Sequence, residues 1–244
     1  MTIGQLTHRA VVRVSPRDES EDIAAFLQGL LTNDVAGPLP AYAALLSAQG
    51  KAMFDMIVWS DGADLLLDCE AEHAESLAKR LSIYRLRRKI DIGVDADLGV
   101  FWSAEAADGF TPDPRLAELG FRRTGNTAKD SQSVDDQYLA NRLSHGVAEG
   151  AVELGDILWL ETNAVELNGV SFDKGCYIGQ ENTARMNWRQ KINRRLVVVP
   201  LEQSQDKRRK AEFPALGLAL DHLRVNDIPA EAVPAWMRLS AKED

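Results

Sequence analysis

The chain has 244 residues, 45% of them hydrophobic, and a formal net charge of −9, an ordinary globular composition with length for one large or two to three small domains. The negative balance disfavours a general nucleic-acid coat, and no apolar run approaches the roughly 18–20 residues that cross a bilayer. Residues 1–14 lack the features of a signal or transit peptide, and the two cysteines, Cys69 and Cys176, lie far apart and outside any C-x-x-C, so the expectation is a reducing, cytoplasmic compartment and no membrane partner.

Residues 8–14 carry closely spaced β-branched side chains and predict a strand, broken at Ser15-Pro16. Residues 18–31 predict a helix. Asp18, Glu19, Glu21 and Asp22 crowd its first turns, where the macrodipole favours acids, and Ile23, Phe26, Leu27, Leu30 and Leu31 form an apolar stripe. Residues 42–47 and 51–60 predict two strands. Asp61-Gly62 is a two-residue hairpin turn and 63–68 the returning strand, with Cys69 at its end as a structural thiol. Residues 72–87 have helical periodicity through Leu77, Leu81 and Tyr84. Lys79, Arg80, Arg85, Arg87, Arg88 and Lys89 make its far end cationic, which reads as a solvated, dipole-matched terminus, with a phosphate or polyglutamate contact as the alternative.

Residues 90–94, 98–103 and 121–124 predict further strands, 125–130 a polar, mobile stretch, and 134–143 a helix stopped at Ser144-His145-Gly146. His145 reads as a cap, and no second histidine stands close enough in sequence for a local metal site. Residues 148–156 read as a loop and 157–161 as a strand leading to the next segment. After residue 195 there is one strand, 196–201, then a charged loop over 203–210 and an apolar run over 216–220, which predicts a partial third domain. Strands and helices alternate irregularly, with hairpins in place of βαβ units, so the class is α+β.

The segment that carries chemistry is Lys174-Gly175-Cys176-Tyr177-Ile178-Gly179-Gln180-Glu181. Two glycines bracket a cysteine and admit close approach to the main chain. Residues 180–187 predict a short helix, so Cys176 precedes a helix N-terminus, with Lys174 nearby. Both favour a thiolate that attacks or ligates; the alternative is a small buried cysteine in a tight turn. Beyond it, Arg185, Arg189, Lys191, Arg194 and Arg195 surround Trp188. This basic patch is either a solvated face or a contact for RNA or an acidic partner.

This octapeptide resembles the signature of the YgfZ-type folate-binding proteins, relatives of the glycine-cleavage T-protein (aminomethyltransferase). Residues 26–34, 45–51, 84–89, 113–120 and 138–142, with Gly146 and Gly150, agree with it in order, so the resemblance covers about residues 8–200. It implies a multi-domain α+β ring around a central cavity. Residues 1–40 with 105–185 would form an outer domain, 41–104 an inserted domain, and 186–244 a small C-terminal β domain, here a truncated or partial barrel. It also implies tetrahydrofolate or a derivative as ligand. A pterin needs a carboxylate for its donor edge, apolar or aromatic faces, and cations for its glutamate tail. The resemblance matches Asp55 and Glu161 to the carboxylates, brings Asn33, Tyr177 and Gln180 towards the ligand, and makes Arg142 and Arg185 candidates for the tail. On a strand, Asp55 and Glu161 can equally point to solvent by simple alternation, and Asn33 can serve as a helix-end cap.

Aminomethyl transfer needs no cysteine, so Cys176 points to the YgfZ branch, associated with support of iron–sulfur enzymes, including one that modifies tRNA. A conventional cluster takes four protein ligands, and one motif cysteine cannot hold it alone. Cys176 would therefore share a transient cluster with an iron–sulfur carrier or client protein. Cys176 and Asp55 are the catalytic candidates. Three readings stay open: a folate-binding factor for iron–sulfur cluster assembly or repair, acting through it on tRNA modification; a one-carbon transferase using Asp55; and an interaction module that keeps only the fold.

Overall fold

The computed structural model describes residues 3–128, 131–188 and 192–239. Its centre is a five-stranded antiparallel sheet in the order β3-β4-β5-β2-β6. The strands are β2 (Arg9–Pro16), β3 (Ala41–Leu46), β4 (Ala52–Asp61), β5 (Asp64–Glu70) and β6 (Ile90–Val94). Asp61 pairs with Asp64 across the expected hairpin, where Gly62 takes the positive φ of 62° that the turn requires. Every residue of β3 is buried, because the sheet is covered on both faces. Period-two alternation divides its side chains between two cores. Ala43, Leu45, Met56, Val58, Leu65 and Leu67 meet α1 (Ile23–Gln28) and α2 (Ala74–Arg85). Ala44, Leu46, Ile57 and Leu66 meet Trp102, Tyr138 and Trp159 on the opposite side.

A four-stranded antiparallel sheet, β1-β7-β9-β8, supports that second side. It consists of β1 (Ile3–Leu6), β7 (Leu98–Ser103), β8 (Thr111–Pro112) and β9 (Phe121–Asn126), with α3 (Asp135–Ser144) packed beside β1. The C-terminal unit is a three-stranded sheet, β10 (Arg194–Pro200), β12 (Leu218–Arg224) and β11 (Arg209–Phe213), in that spatial order. It is not closed into a barrel among the described residues, and β11 occupies part of the expected charged loop.

Three expectations change for local reasons. The helix over 18–31 shrinks to α1, because Asp22 caps it by accepting from the Ala25 N–H at 2.9 Å. The preceding acids bind cations instead: Glu21 pairs with Arg88 at 2.9 Å and Asp18 with Lys89 at 2.8 Å. The loop over 148–156 contains a short helix, α4 (Ala151–Leu154). The strand over 157–161 is replaced by a 3₁₀ turn at Trp159–Thr162 that ends at Asn163 in the left-handed region. Its apolar side chains are buried without sheet pairing beyond a single bridge, Lys51 to Leu158.

A cluster of buried charges joins the two large sheets. Arg122 of β9 donates to Asp68 of β5 at 2.9 Å and to Glu149 at 3.0 Å, and its Nε stands 2.9 Å from Asp113. Arg9 of β2 donates to Asp68 at 2.6 Å. Arg115 forks onto Asp113 at 2.9 and 2.7 Å and reaches Glu149 at 2.6 Å. Tyr138 donates to Glu149 at 2.6 Å and accepts from Arg115 and Arg122. The cations Arg9, Arg115 and Arg122 balance Asp68, Asp113 and Glu149, so the buried cluster is neutral. Replacing Arg122 by Met leaves three carboxylates facing two cations. The expected cost is about 3–5 kcal/mol of folding stability, read as a lower guanidinium midpoint.

Candidate functional site

A cavity of about 260 Å³ opens beside this cluster, lined among others by His8, Arg9, Glu70, Tyr138, Arg142 and Glu149. Four elements converge on it: the turn between β1 and β2, the end of β5, one face of α3, and the segment leading into α4. Burial works against the charge on Glu149, but Arg9, Arg115 and Arg122 outweigh it and hold the carboxyl well below its usual range. His8 stands at the mouth, 2.7 Å from Asp135 and 3.9 Å from Glu149. Burial opposes its charged form, and bonds to Glu149 and Asp135 more than compensate, so its pKa is raised.

Asp55 lies just behind the cavity wall. It accepts from the Gly150 N–H at 3.1 Å and from the Tyr42 hydroxyl at 3.4 Å. It also borders a small hollow of about 10 Å³ with Glu70 and Cys69. Burial pushes Asp55 up to about 6, with Arg9 pulling it back and Glu149 adding to the rise. Arg142 lines the cavity, but its guanidinium is committed: it forks onto Glu153 at 2.7 and 2.7 Å and donates to the Val147 carbonyl at 2.7 Å.

The other candidates lie elsewhere. Glu161, on the 3₁₀ turn, faces the C-terminal sheet, 2.9 Å from His222 of β12. Asn33 spans two main-chain carbonyls, Tyr42 at 2.8 Å and Asn168 at 2.7 Å. Gln180 accepts from the Tyr177 N–H at 3.3 Å at the start of α5 (Gln180–Trp188), and the Tyr177 ring is buried. Arg185 is exposed and pairs with Glu181 one turn away. Arg189 and Lys191 of the basic patch lie outside the described residues, as do the last two residues of the polar stretch 125–130. The sequence reading did not single out His8, Arg9, Asp68, Arg122 or Glu149, and it named Asp113 and Arg115 only within the stretch 113–120 that carries the resemblance. Their spread from residue 8 to residue 149 leaves no local spacing to find.

The cysteine loop forms a second site. Cys69 is buried, and burial pushes its thiol up to about 12. Cys176 is exposed, and it is not among the residues lining the cavity. Gly179 has φ 81°, and a Cβ there would stand 2.5 Å from the Ser47 carbonyl oxygen, so the loop presses against the turn between β3 and β4. Around Gly175 the space is open, so close approach explains only the second glycine. Lys174, read as a charge for the sulfur, is bound to the main chain. Its ammonium donates to the Gln28 and Leu31 carbonyls at 2.6 and 2.5 Å, beyond the end of α1, and lies 5.0 Å from the Tyr177 ring centre. Burial pushes Lys174 down to about 8, and Asp34 draws it back. Asn182 donates to the Gln49 carbonyl at 2.6 Å. The result is an outward-facing thiol on a loop pinned at both ends. Among the described residues no group of three or more His, Cys, Asp and Glu side chains could hold a metal ion.

Two outcomes follow from these environments. Asp55 keeps its proton in the folded protein up to about pH 6, while the unfolded chain releases it near 3.8. The folded state therefore loses stability as pH rises through this window. Asp55→Asn should be more stable than the parent at pH 7–8, by up to about 3 kcal/mol, with the difference gone below about pH 4, as read by denaturant titration at each pH. Gly179→Ala forces both a positive φ and a clash with Ser47; thermal melting should show a loss of about 1–3 kcal/mol.

No protein-family model matches the chain. It is 35% identical to the mouse protein "Iron-sulfur cluster assembly factor IBA57, mitochondrial" over 82% of its length, and 34% identical to the human protein of that name over 80%. The chain spans 66% and 65% of these two relatives, just under two thirds of their length. A homologue from Neurospora crassa is 30% identical over 79% of the chain. All three are mitochondrial by name, which overturns the expectation of a cytoplasmic protein. Among solved structures, the glycine cleavage system aminomethyltransferase T from Bartonella henselae shares the fold, with a TM-score of 0.64 over 92% of this chain and 78% of its own, at 12% identity. The chain is thus similar to the IBA57 iron–sulfur cluster assembly factors over about four fifths of its own length, and it has the fold of the glycine-cleavage aminomethyltransferase.

Proposed function

We propose that this protein supports the assembly or repair of iron–sulfur clusters, with Cys176 contributing one thiolate to a cluster shared with a carrier or client protein. The observation that carries the reading is the contrast between its cysteines: Cys176 is exposed on a pinned loop, whereas Cys69 is sealed in the core. A cluster normally takes four protein ligands, so the partner would supply the rest. Sharing of that kind makes release easy, which suits delivery better than storage. Iron–sulfur enzymes that modify tRNA would be among the downstream clients.

The reading includes tetrahydrofolate or a derivative in the cavity. Glu70 and Glu149 offer acceptors for the donor edge of a pterin, and the half-exposed His8 ring lies at the mouth. Its volume of about 260 Å³ lies near the lower end of ligand pockets, so it would take the bicyclic head and leave the glutamate tail outside. The one-carbon transferase reading rests on Asp55, whose raised pKa suits proton transfer near neutral pH.

Cys176→Ser separates these roles. Anaerobic reconstitution with an iron–sulfur carrier should give cluster absorption in the visible range with the parent protein and little with the variant. Tetrahydrofolate binding by calorimetry should be unchanged in that variant and weakened in Glu70→Gln. Full cluster formation with Cys176→Ser would remove the thiol from the mechanism. Turnover abolished by Asp55→Asn with folate binding intact would favour the transferase.

A further inference from the structure

We propose that the C-terminal end of α2 is a docking surface for an anionic lipid membrane, a property separate from the thiol loop and the cavity. Ile83 and Leu86 are 58% and 86% exposed there. Ile83 lies in the last turn of α2, and Leu86 is the first residue beyond it. Six cations lie between residues 79 and 89. Arg88 and Lys89 are neutralised by Glu21 and Asp18. Lys79, Arg80, Arg85 and Arg87 have no carboxylate within ion-pair distance among the described residues: Arg85 donates to the Ile90 carbonyl at 3.0 Å, and Arg80 lies over the Tyr84 ring. An open hollow beside Leu86 is lined by Arg87, Arg88 and Glu21. This local excess of positive charge stands against a chain whose net charge is −9, so it is not a consequence of bulk composition.

The backbone adds an independent observation. Leu86 has φ 51° and ψ −114°, a conformation that glycine takes freely and a side chain strains against. A glycine would make this turn at lower cost, yet the position presents a leucine to solvent. A strained residue held outward at a tip marks a side chain kept for what it touches.

The size of the patch selects the partner. Two protruding apolar side chains fall far short of the about 800 Å² per side that a stable protein interface buries. A lipid interface has no such requirement: it accepts single apolar side chains at headgroup depth while the surrounding lysines and arginines meet lipid phosphates. No helix of the described chain is long and apolar enough to cross a membrane, so the contact is peripheral. With few inserted groups it is weak and reversible, and the cationic tip orients an otherwise acidic protein on the surface.

Co-sedimentation of the full chain with phosphatidylcholine vesicles, with and without phosphatidylglycerol, tests this. Binding is expected on the anionic vesicles only, and to fall steeply with added salt. Leu86→Asp should lower the bound fraction about tenfold, and Arg87→Glu should lower it by less. Leu86→Gly should lose binding while its melting temperature is unchanged or higher, because the backbone strain is relieved. No sedimentation with anionic vesicles, equal binding to neutral ones, or undiminished binding by Leu86→Asp would overturn the proposal. Capture of a soluble acidic protein, without vesicle binding, would assign the tip to a protein partner and overturn it equally.

Discussion

Six buried charges hold this protein in register. Asp68 sits on the central sheet, Arg122 on the second sheet, and Glu149 in the segment leading to α4. Each charged group would be costly to bury alone, and each is accepted only because the others are present. Arg122 is fully buried and touches carboxylates from three different parts of the chain, Asp68, Asp113 and Glu149. An apolar contact tolerates small shifts. A guanidinium that must satisfy three carboxylates does not, so this cluster fixes how the sheets face each other and thereby shapes the cavity at its edge.

The cavity draws its electrostatics from the same source. Glu149 stays ionised because three arginines converge on it, and its charge helps keep Asp55 protonated through a shared field. One carboxyl is thus held ionised well below its usual range, while its neighbour keeps a proton up to about pH 6. That is a usual basis for distinct proton roles at a site. The thiol loop depends on different contacts, the carbonyls of Gln28 and Leu31 and the turn at residues 47–50. Among the described groups, the two sites rest on separate supports. The cavity and the thiol loop therefore share no supporting residue among those named.

The relatives and the fold neighbour bear on different parts of this picture. The aminomethyltransferase neighbour bears on the arrangement of the sheets. The assembly-factor relatives share 30–35% of their residues with this chain, over just under two thirds of their own length or less. The C-terminal unit here is an open three-stranded sheet, in which β11 forms where charge alone argued for a loop. Its Arg209 pairs with both Glu212 and Asp206 at the surface, so one edge of that strand stays solvated.

The sequence by itself determined the hairpin at Asp61-Gly62, the strands β6 and β7, the helices α2, α3 and α5, the burial of Cys69 and the family of the thiol loop. Each rests on local rules: turn geometry, periodicity, or an unbroken motif. It misplaced the strand at 157–161 and the length of α1, because apolar runs are buried by tertiary contacts without declaring their backbone, and because a single cap at Asp22 outweighs a longer stripe. Only the tertiary structure decided that Arg142 is locked to Glu153, that Glu161 faces His222, and that Lys174 binds the carbonyls of Gln28 and Leu31. The physical reason is common to all three: a charged side chain's role is set by which opposite charge or dipole folding brings within about 3 Å, and those partners are chosen by contacts far apart in the chain.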